Sequence, residues 1–80
     1  MITAFILVKV KPGMDRSIAA KLKELPQVQF ATTIYGEYDL LAEVKVNSLP
    51  ELDSFVFDHF RRIPGVESTK TLIASQIVKE

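Results

Sequence analysis

The apolar residues of this chain alternate between two spacings, and the order in which the spacings follow one another leaves few folds open. Ile2, Ala4, Ile6, Val8 and Val10 recur every second residue, with Thr3, Phe5, Leu7 and Lys9 between them. That is the period of a strand with one face on a core. Pro12-Gly13 breaks the run. Met14, Ile18, Leu22 and Leu25 then recur at helical spacing until Pro26, whose ring and missing N–H forbid continuation. Alternation returns from Val28 to Tyr35 and from Tyr38 to Val46. The Gly36-Glu37 pair between them predicts a two-residue antiparallel hairpin. Ser48-Leu49-Pro50-Glu51 has the form of a capping box with proline in the first turn. The stripe Leu52, Phe55, Val56, Phe60 and Ile63 follows, with Arg61 and Arg62 near the negative end of the helix dipole and Pro64-Gly65 predicted to stop it. Val66 to Val78 is predicted as a fourth strand.

Strand, helix, hairpin, helix, strand is the split βαβ pattern, an α+β ferredoxin-like βαββαβ fold. Right-handed crossovers place both helices on one face of a four-stranded antiparallel sheet. Residues 1–80 form one domain with no linker or low-complexity segment. The uncovered face should be polar in a monomer. With Ile2, Ile6, Val8, Leu40 and Val44 turned to the helices, Phe5, Leu7, Leu41 and one of Leu72 or Ile73 point away, among Thr33, Asp39, Thr69 and Thr71. Burying four such apolar side chains in a partner is worth roughly 1.5 to 3 kcal/mol each before association costs. A face-to-face dimer through Phe5, Leu7, Leu41 and Ile73 is therefore expected. Hydrophobic residues make up 48% of the chain, more than one small core uses.

Ten basic and ten acidic residues cancel and are dispersed, which argues against independent nucleic-acid binding. With no cysteine there is no disulfide, thiolate metal site or cysteine nucleophile, in keeping with a cytoplasmic protein. No apolar run approaches a membrane span. The single histidine, His59, has no second histidine to share a metal and no triad spacing around it. Neither a metal site, a cofactor nor a catalytic residue is expected. The three glycines are isolated and form no phosphate loop. Among Glu37, Asp39 and Glu43 at the hairpin, Asp39 is the informative carboxylate. A charge on a face that expects a partner must be paired or bear a desolvation cost. A ligand ammonium would pair it; so would backbone amides or water.

Tyr35-Gly36-Glu37-Tyr38-Asp39-Leu40 resembles the Gly-x-Tyr/Phe-Asp hairpin of the Lrp/AsnC effector (RAM) domain. The segment Ile63-Pro64-Gly65-Val66-Glu67-Ser68-Thr69-Lys70-Thr71-Leu72-Ile73 is similar to that family's helix exit and last strand. The resemblance implies a dimeric α+β barrel type of assembly, dimers joined into an octamer or decamer, and a free amino acid bound where dimers meet. Carried over position by position, Gly36, Tyr38 and Asp39 belong to the effector loop, and Leu49, Thr69, Thr71, Leu72 and Ile73 complete the ligand set. Asp39 would attract the α-ammonium. Amides near Gly36 and a threonine hydroxyl would hold the carboxylate, and Leu49 and Ile73 would line a pocket for a branched aliphatic side chain.

Full-length members of that family carry a helix-turn-helix, whereas here strand one begins at Ile2, so the expectation is a stand-alone amino-acid-binding module without DNA binding of its own. It would oligomerise and modulate full-length Lrp/AsnC regulators or sense amino-acid levels. Two other classes share the element order. A small α+β barrel enzyme such as a monooxygenase would need a poised acid or base in a pocket, which the residues do not offer. An ACT-like or purely structural assembly module would form the oligomer without this hairpin or without a ligand.

Overall fold

The computed structural model describes residues 1–79. The chain runs β1 (Ile2–Val10), α1 (Asp15–Leu22), β2 (Val28–Thr33), β3 (Leu40–Val46), α2 (Leu49–His59) and β4 (Val66–Ile73). The sheet order is β2-β3-β1-β4, all antiparallel. The split βαβ order expected from the sequence is therefore the fold.

The core forms where the alternation of β1 and β3 meets the helical stripes. Ala4, Ile6, Val8, Leu40, Ala42 and Val44 are wholly buried on the helix side of the two central strands. Ile18 and Leu22 of α1, Leu52, Phe55 and Val56 of α2, and Phe60 just past its end close over them. No buried side-chain polar atom lacks a partner among the described residues. The first turn of α2 shows half of the expected capping box, because the Glu51 carboxylate reaches back one residue further than the N-cap, to Asn47 rather than to Ser48. Ser48 Oγ accepts from Glu51 N–H at 3.2 Å, and a Glu51 carboxylate oxygen accepts from Asn47 N–H at 3.4 Å.

Several element ends differ from the sequence expectation, each for a backbone reason. Helix α1 ends at Leu22 rather than running through Leu25 to Pro26, because the N–H groups of Glu24 and Leu25 donate only three residues back, to the carbonyls of Lys21 and Leu22. The hairpin keeps the register that a Gly36-Glu37 turn implies, with Thr33 opposite Leu40 and Ile34 N–H donating to Asp39 O at 2.9 Å. Pairing stops there, so Tyr35 to Tyr38 form a four-residue loop with Gly36 at φ +124°. Helix α2 ends at His59 rather than at Pro64, because the N–H groups of both Phe60 and Arg61 donate to the Val56 carbonyl and close the last turn early. Strand β4 ends at Ile73 rather than Val78. Its only partner is β1, and Ala74 N–H already bonds Thr3 O, one residue from the start of that strand.

The register also settles which way the β4 side chains point. Thr69, Thr71 and Ile73 lie opposite Val8, Ile6 and Ala4, all on the helix side. The expectation that Ile73 and the two threonines share the open face is corrected here. Thr33, opposite the buried Leu40, is also on the helix side. Leu72 is the β4 apolar residue on the open face, opposite Phe5. Parity is hard to read on this strand because it is an edge with little burial on either side, and a bulge at Glu67 shifts the register near its start.

Candidate functional site

Two helices do not span four strands. β4 lies beyond the reach of α2, and a groove of about 340 Å³ remains between them, at the small end of the roughly 300 to 1,000 Å³ of ligand pockets. Leu49, Leu52 and Val56 of α2 form one wall, and Thr69, Thr71 and Ile73 of β4 form the other. Asp53 and Arg61 complete it. Leu52 and Val56 are buried at the floor, whereas Leu49 and Ile73 are each about half exposed at the rim (54% and 52%). The β4 wall is read directly from the pleat: three residues at alternate positions put two hydroxyls and one aliphatic side chain on the same face. Because β4 returns antiparallel to α2's course after the Phe60 to Gly65 connection, Thr69 lies toward the C-terminal end of α2 and Ile73 toward Leu49.

Four of the ligand residues expected from the sequence, Leu49, Thr69, Thr71 and Ile73, thus come together in one groove. The other four do not join them within this chain. Leu72 is on the opposite face of the same strand. Gly36 and Tyr38 sit in the hairpin loop, away from the groove. Asp39 is half-buried, and its Oδ2 accepts from Val10 N–H at 2.9 Å. The β1–β3 ladder ends at Val8 and Leu40, so this carboxylate oxygen takes the place of the carbonyl that a further rung would have offered to Val10. Asp39 N–H in turn donates to Val8 O at 2.9 Å. This is the backbone-amide alternative that the sequence left open for Asp39. Replacement of Asp39 by alanine is expected to cost about 1 to 2 kcal/mol through the orphaned Val10 amide, whereas asparagine, whose carbonyl can still accept, should cost less than half of that; urea unfolding of the two variants measures both.

Asp53 and Arg61 are not among the site residues that the sequence singles out. The signal that finds them is position: Asp53 follows Leu52 on the groove side of α2, and Arg61 follows the buried Phe60 where the chain turns toward β4. His59 is exposed with its ring 5.2 Å from that of Phe55, tilted by 41°. Among the described residues no group of three or more His, Cys, Asp or Glu side chains is placed to hold a metal ion, and no helix is long and apolar enough to cross a membrane.

The open face of the sheet carries two cross-strand rows. One runs Phe30, Glu43, Phe5, Leu72 and the next Thr32, Leu41, Leu7, Lys70. Phe5, Leu7 and Leu41 are half-buried by their neighbours alone, and Phe30 and Leu72 are more exposed, at 44% and 46%. Five apolar side chains in one contiguous patch are more than a scatter of single exposed residues.

A four-stranded antiparallel sheet with both helices on one face, and a groove left beside its edge strand, is the architecture of small α+β binding domains. The chain belongs to the Lrp/AsnC ligand-binding domain family, whose family model matches residues 3–80. Its curated relatives include the HTH-type transcriptional regulator FL11 of Pyrococcus furiosus, 37% identical over 79 residues, which cover 99% of this chain and 52% of the relative. An uncharacterized HTH-type transcriptional regulator of the same organism is 38% identical over 78 residues, 98% of this chain and 53% of the relative. The chain spans about half the length of the curated relatives it matches. Among solved structures, TTHA0845 from Thermus thermophilus is 35% identical with a TM-score of 0.92, each chain covering all of the other. AsnC of E. coli is 28% identical with a TM-score of 0.92, over 99% of this chain and 54% of that one. The curated relatives are named as transcriptional regulators, and the matched domain is a ligand-binding one.

Proposed function

We propose that this chain is an amino-acid-binding regulatory module that assembles with further copies of itself and acts on transcriptional regulators of its own family. The observation that carries the reading is the groove between α2 and β4. Two separate elements bring the aliphatic side chains of Leu49 and Ile73 and the hydroxyls of Thr69 and Thr71 to one site in a ligand-binding domain. Hydroxyls beside an aliphatic wall suit a ligand that is polar at one end and branched aliphatic at the other, such as isoleucine, leucine or valine. A structure of the same fold, the transcriptional regulator NMB0573 of Neisseria meningitidis, is a complex with L-Met. At 23% identity that likeness concerns the fold, and the amino-acid reading here rests on the groove.

Assembly follows from the open face. Phe5, Leu7, Leu41 and Leu72 supply the apolar centre of a sheet-to-sheet dimer, with Phe30 beside them. The hairpin residues Gly36, Tyr38 and Asp39 enter the site only across a subunit boundary, where a loop from one dimer meets the groove of the next in an octamer or decamer.

Light scattering coupled to size exclusion, with and without the twenty amino acids, tests the reading. The expected species is an assembly of about eight or ten subunits that a branched aliphatic amino acid stabilises by about 2.7 kcal/mol at a hundredfold excess over Kd. For a domain of this size that raises the melting temperature by on the order of 10 °C. A dimer whose size and melting temperature ignore all twenty amino acids would remove the sensor reading in favour of a structural or enzymatic role.

A further inference from the structure

We propose that α2 carries a second self-association surface, centred on Phe57, at which the helix packs antiparallel on α2 of another copy of this chain, with Asp53 of each copy facing Arg61 of the other. The proposal rests on the reading that dimers join into a larger assembly, and it names a contact that joins them without calling on a ligand. Phe57 is half-exposed, whereas Leu52, Phe55 and Val56 of the same helix are buried in the core. Its ring borders a depression of about 350 Å³ that Asp53, Ser54, Val56, Asp58 and Arg61 also line. The guanidinium carbon of Arg62 stands 5.0 Å from the centre of that ring. The two acids and two arginines around it are all exposed, and none of the side-chain hydrogen bonds among the described residues involves any of them.

The order of these residues selects the occupant. Asp53 precedes Phe57 by four positions and Arg61 follows it by four, and rows of side chains at that spacing are the ridges that interdigitate in the commonest class of helix packing. A two-fold axis at Phe57 sets each residue before it opposite the residue equally far behind it on the other copy. The two phenyl rings meet at the axis, and an Asp53–Arg61 pair closes each end. Parallel helices would instead set Asp53 on Asp53 and Arg61 on Arg61, so the pattern also fixes the direction. Arg61 lies past the last helical residue, yet its N–H bonds the Val56 carbonyl and its side chain borders the same depression as Asp53 and Phe57, which keeps it at the patch. The charges around the ring cancel, so the patch offers no net field to a basic or acidic partner such as nucleic acid; what it complements is itself.

The patch is on the helix layer and the apolar sheet face is on the other side of the domain, so one chain can use both at once. Two different two-fold contacts per chain generate closed rings with an even number of subunits, or open filaments. A contact made by one helix is smaller than the roughly 1,200 Å² of a stable interface. It therefore joins preformed dimers, each of which presents two such patches, rather than free chains.

Two charge reversals test the contact, by light scattering coupled to size exclusion in the absence of amino acids. Asp53→Arg leaves arginine at both ends of the patch and Arg61→Asp leaves aspartate at both, so each variant alone sets like charges against like across the axis. Each is expected to weaken the association of dimers at least tenfold and to elute as a dimer where the wild-type protein is larger. Both positions are exposed, so the circular dichroism spectrum of each variant should match that of the wild-type protein. Mixed in equal amounts, the two variants present opposite charges at both ends of every mixed contact, and the wild-type species is expected to return. No exchange of charge within a single chain can produce that restoration. Wild-type size in either variant alone overturns the proposal and leaves the larger assembly standing. Dimeric variants that stay dimeric when mixed place the charges' effect inside the fold, which also overturns it. A wild-type protein that is only a dimer overturns the proposal together with the assembly reading.

Discussion

Replacing Gly65 by alanine is expected to lower stability by about 2 to 4 kcal/mol and the melting temperature by on the order of 10 to 25 °C. Two costs combine at this position. Gly65 has φ +99°, where an L side chain is strained by about 1 to 2 kcal/mol. An added Cβ would also stand 2.5 Å from Met14 Cε, 2.6 Å from Met14 Sδ and 3.2 Å from Ile18 Cδ1. The methionine tip can swing, but Ile18 is buried against the core and cannot follow freely. The Gly65 carbonyl also accepts Lys11 N–H at 2.9 Å, which ties the exit of α2 to the end of β1. Gly36→Ala is the control, since Gly36 has φ +124° and a Cβ added there meets nothing within 4 Å; it should show the strain cost alone. Thermal and urea unfolding of both variants decides the matter. Equal losses at the two glycines would show that the contact with Met14 and Ile18 contributes nothing.

Phe60→Ala is expected to cost about 3 to 5 kcal/mol, enough to unfold a large share of a domain whose whole stability is about 4 to 12 kcal/mol. Phe60 is wholly buried and is the largest such side chain in the core. Its ring centroid lies 5.6 Å from that of Phe55 at an interplanar angle of 59°, so the truncation removes an aromatic contact along with buried area. Because Phe60 immediately precedes Arg61, the same variant is expected to loosen the groove wall. Phe60→Leu, which keeps most of the volume, should recover more than half of the loss. Circular dichroism through a urea titration measures both. A loss below about 1 kcal/mol for Phe60→Ala would mean that the core closes over the vacancy.

What the sequence discloses about this fold depends on how strongly each segment is buried. β1 and β3 are central and one-sided, and their alternation alone assigns every side chain to the correct face. The N-terminal cap and the stripe of α2 are legible for the same reason: Ser48, Glu51, Leu52, Phe55 and Val56 each answer to a local rule of hydrogen bonding or periodicity. β4 and the hairpin are not. An edge strand with little burial carries no pattern that fixes its parity, so Ile73 and Leu72 cannot be told apart by composition. The end of β4 is set by where β1 begins, and that is a property of its partner. The candidate site inherits the same division. Leu49, Thr69, Thr71 and Ile73 are reached through the family resemblance of the chain. Asp53 and Arg61 become visible only when α2 and β4 are laid side by side, because their importance lies in a wall contributed by another element.

One strand ties the two surfaces together. β4 presents Thr69, Thr71 and Ile73 to the groove and Lys70 and Leu72 to the open sheet face. A strand whose alternate residues serve two surfaces cannot be tilted by an event on one side without moving the other. On the proposed function, ligand occupancy and sheet-to-sheet association would be linked equilibria, and whatever factor one adds to the other would be returned in equal measure. An edge with no second neighbour in the sheet is also the least restrained place to carry that coupling, since only β1 resists its displacement. If the proposed function holds, the uneven coverage of a four-stranded sheet by two helices gives this small domain a shared lever between concentration of a metabolite and concentration of itself.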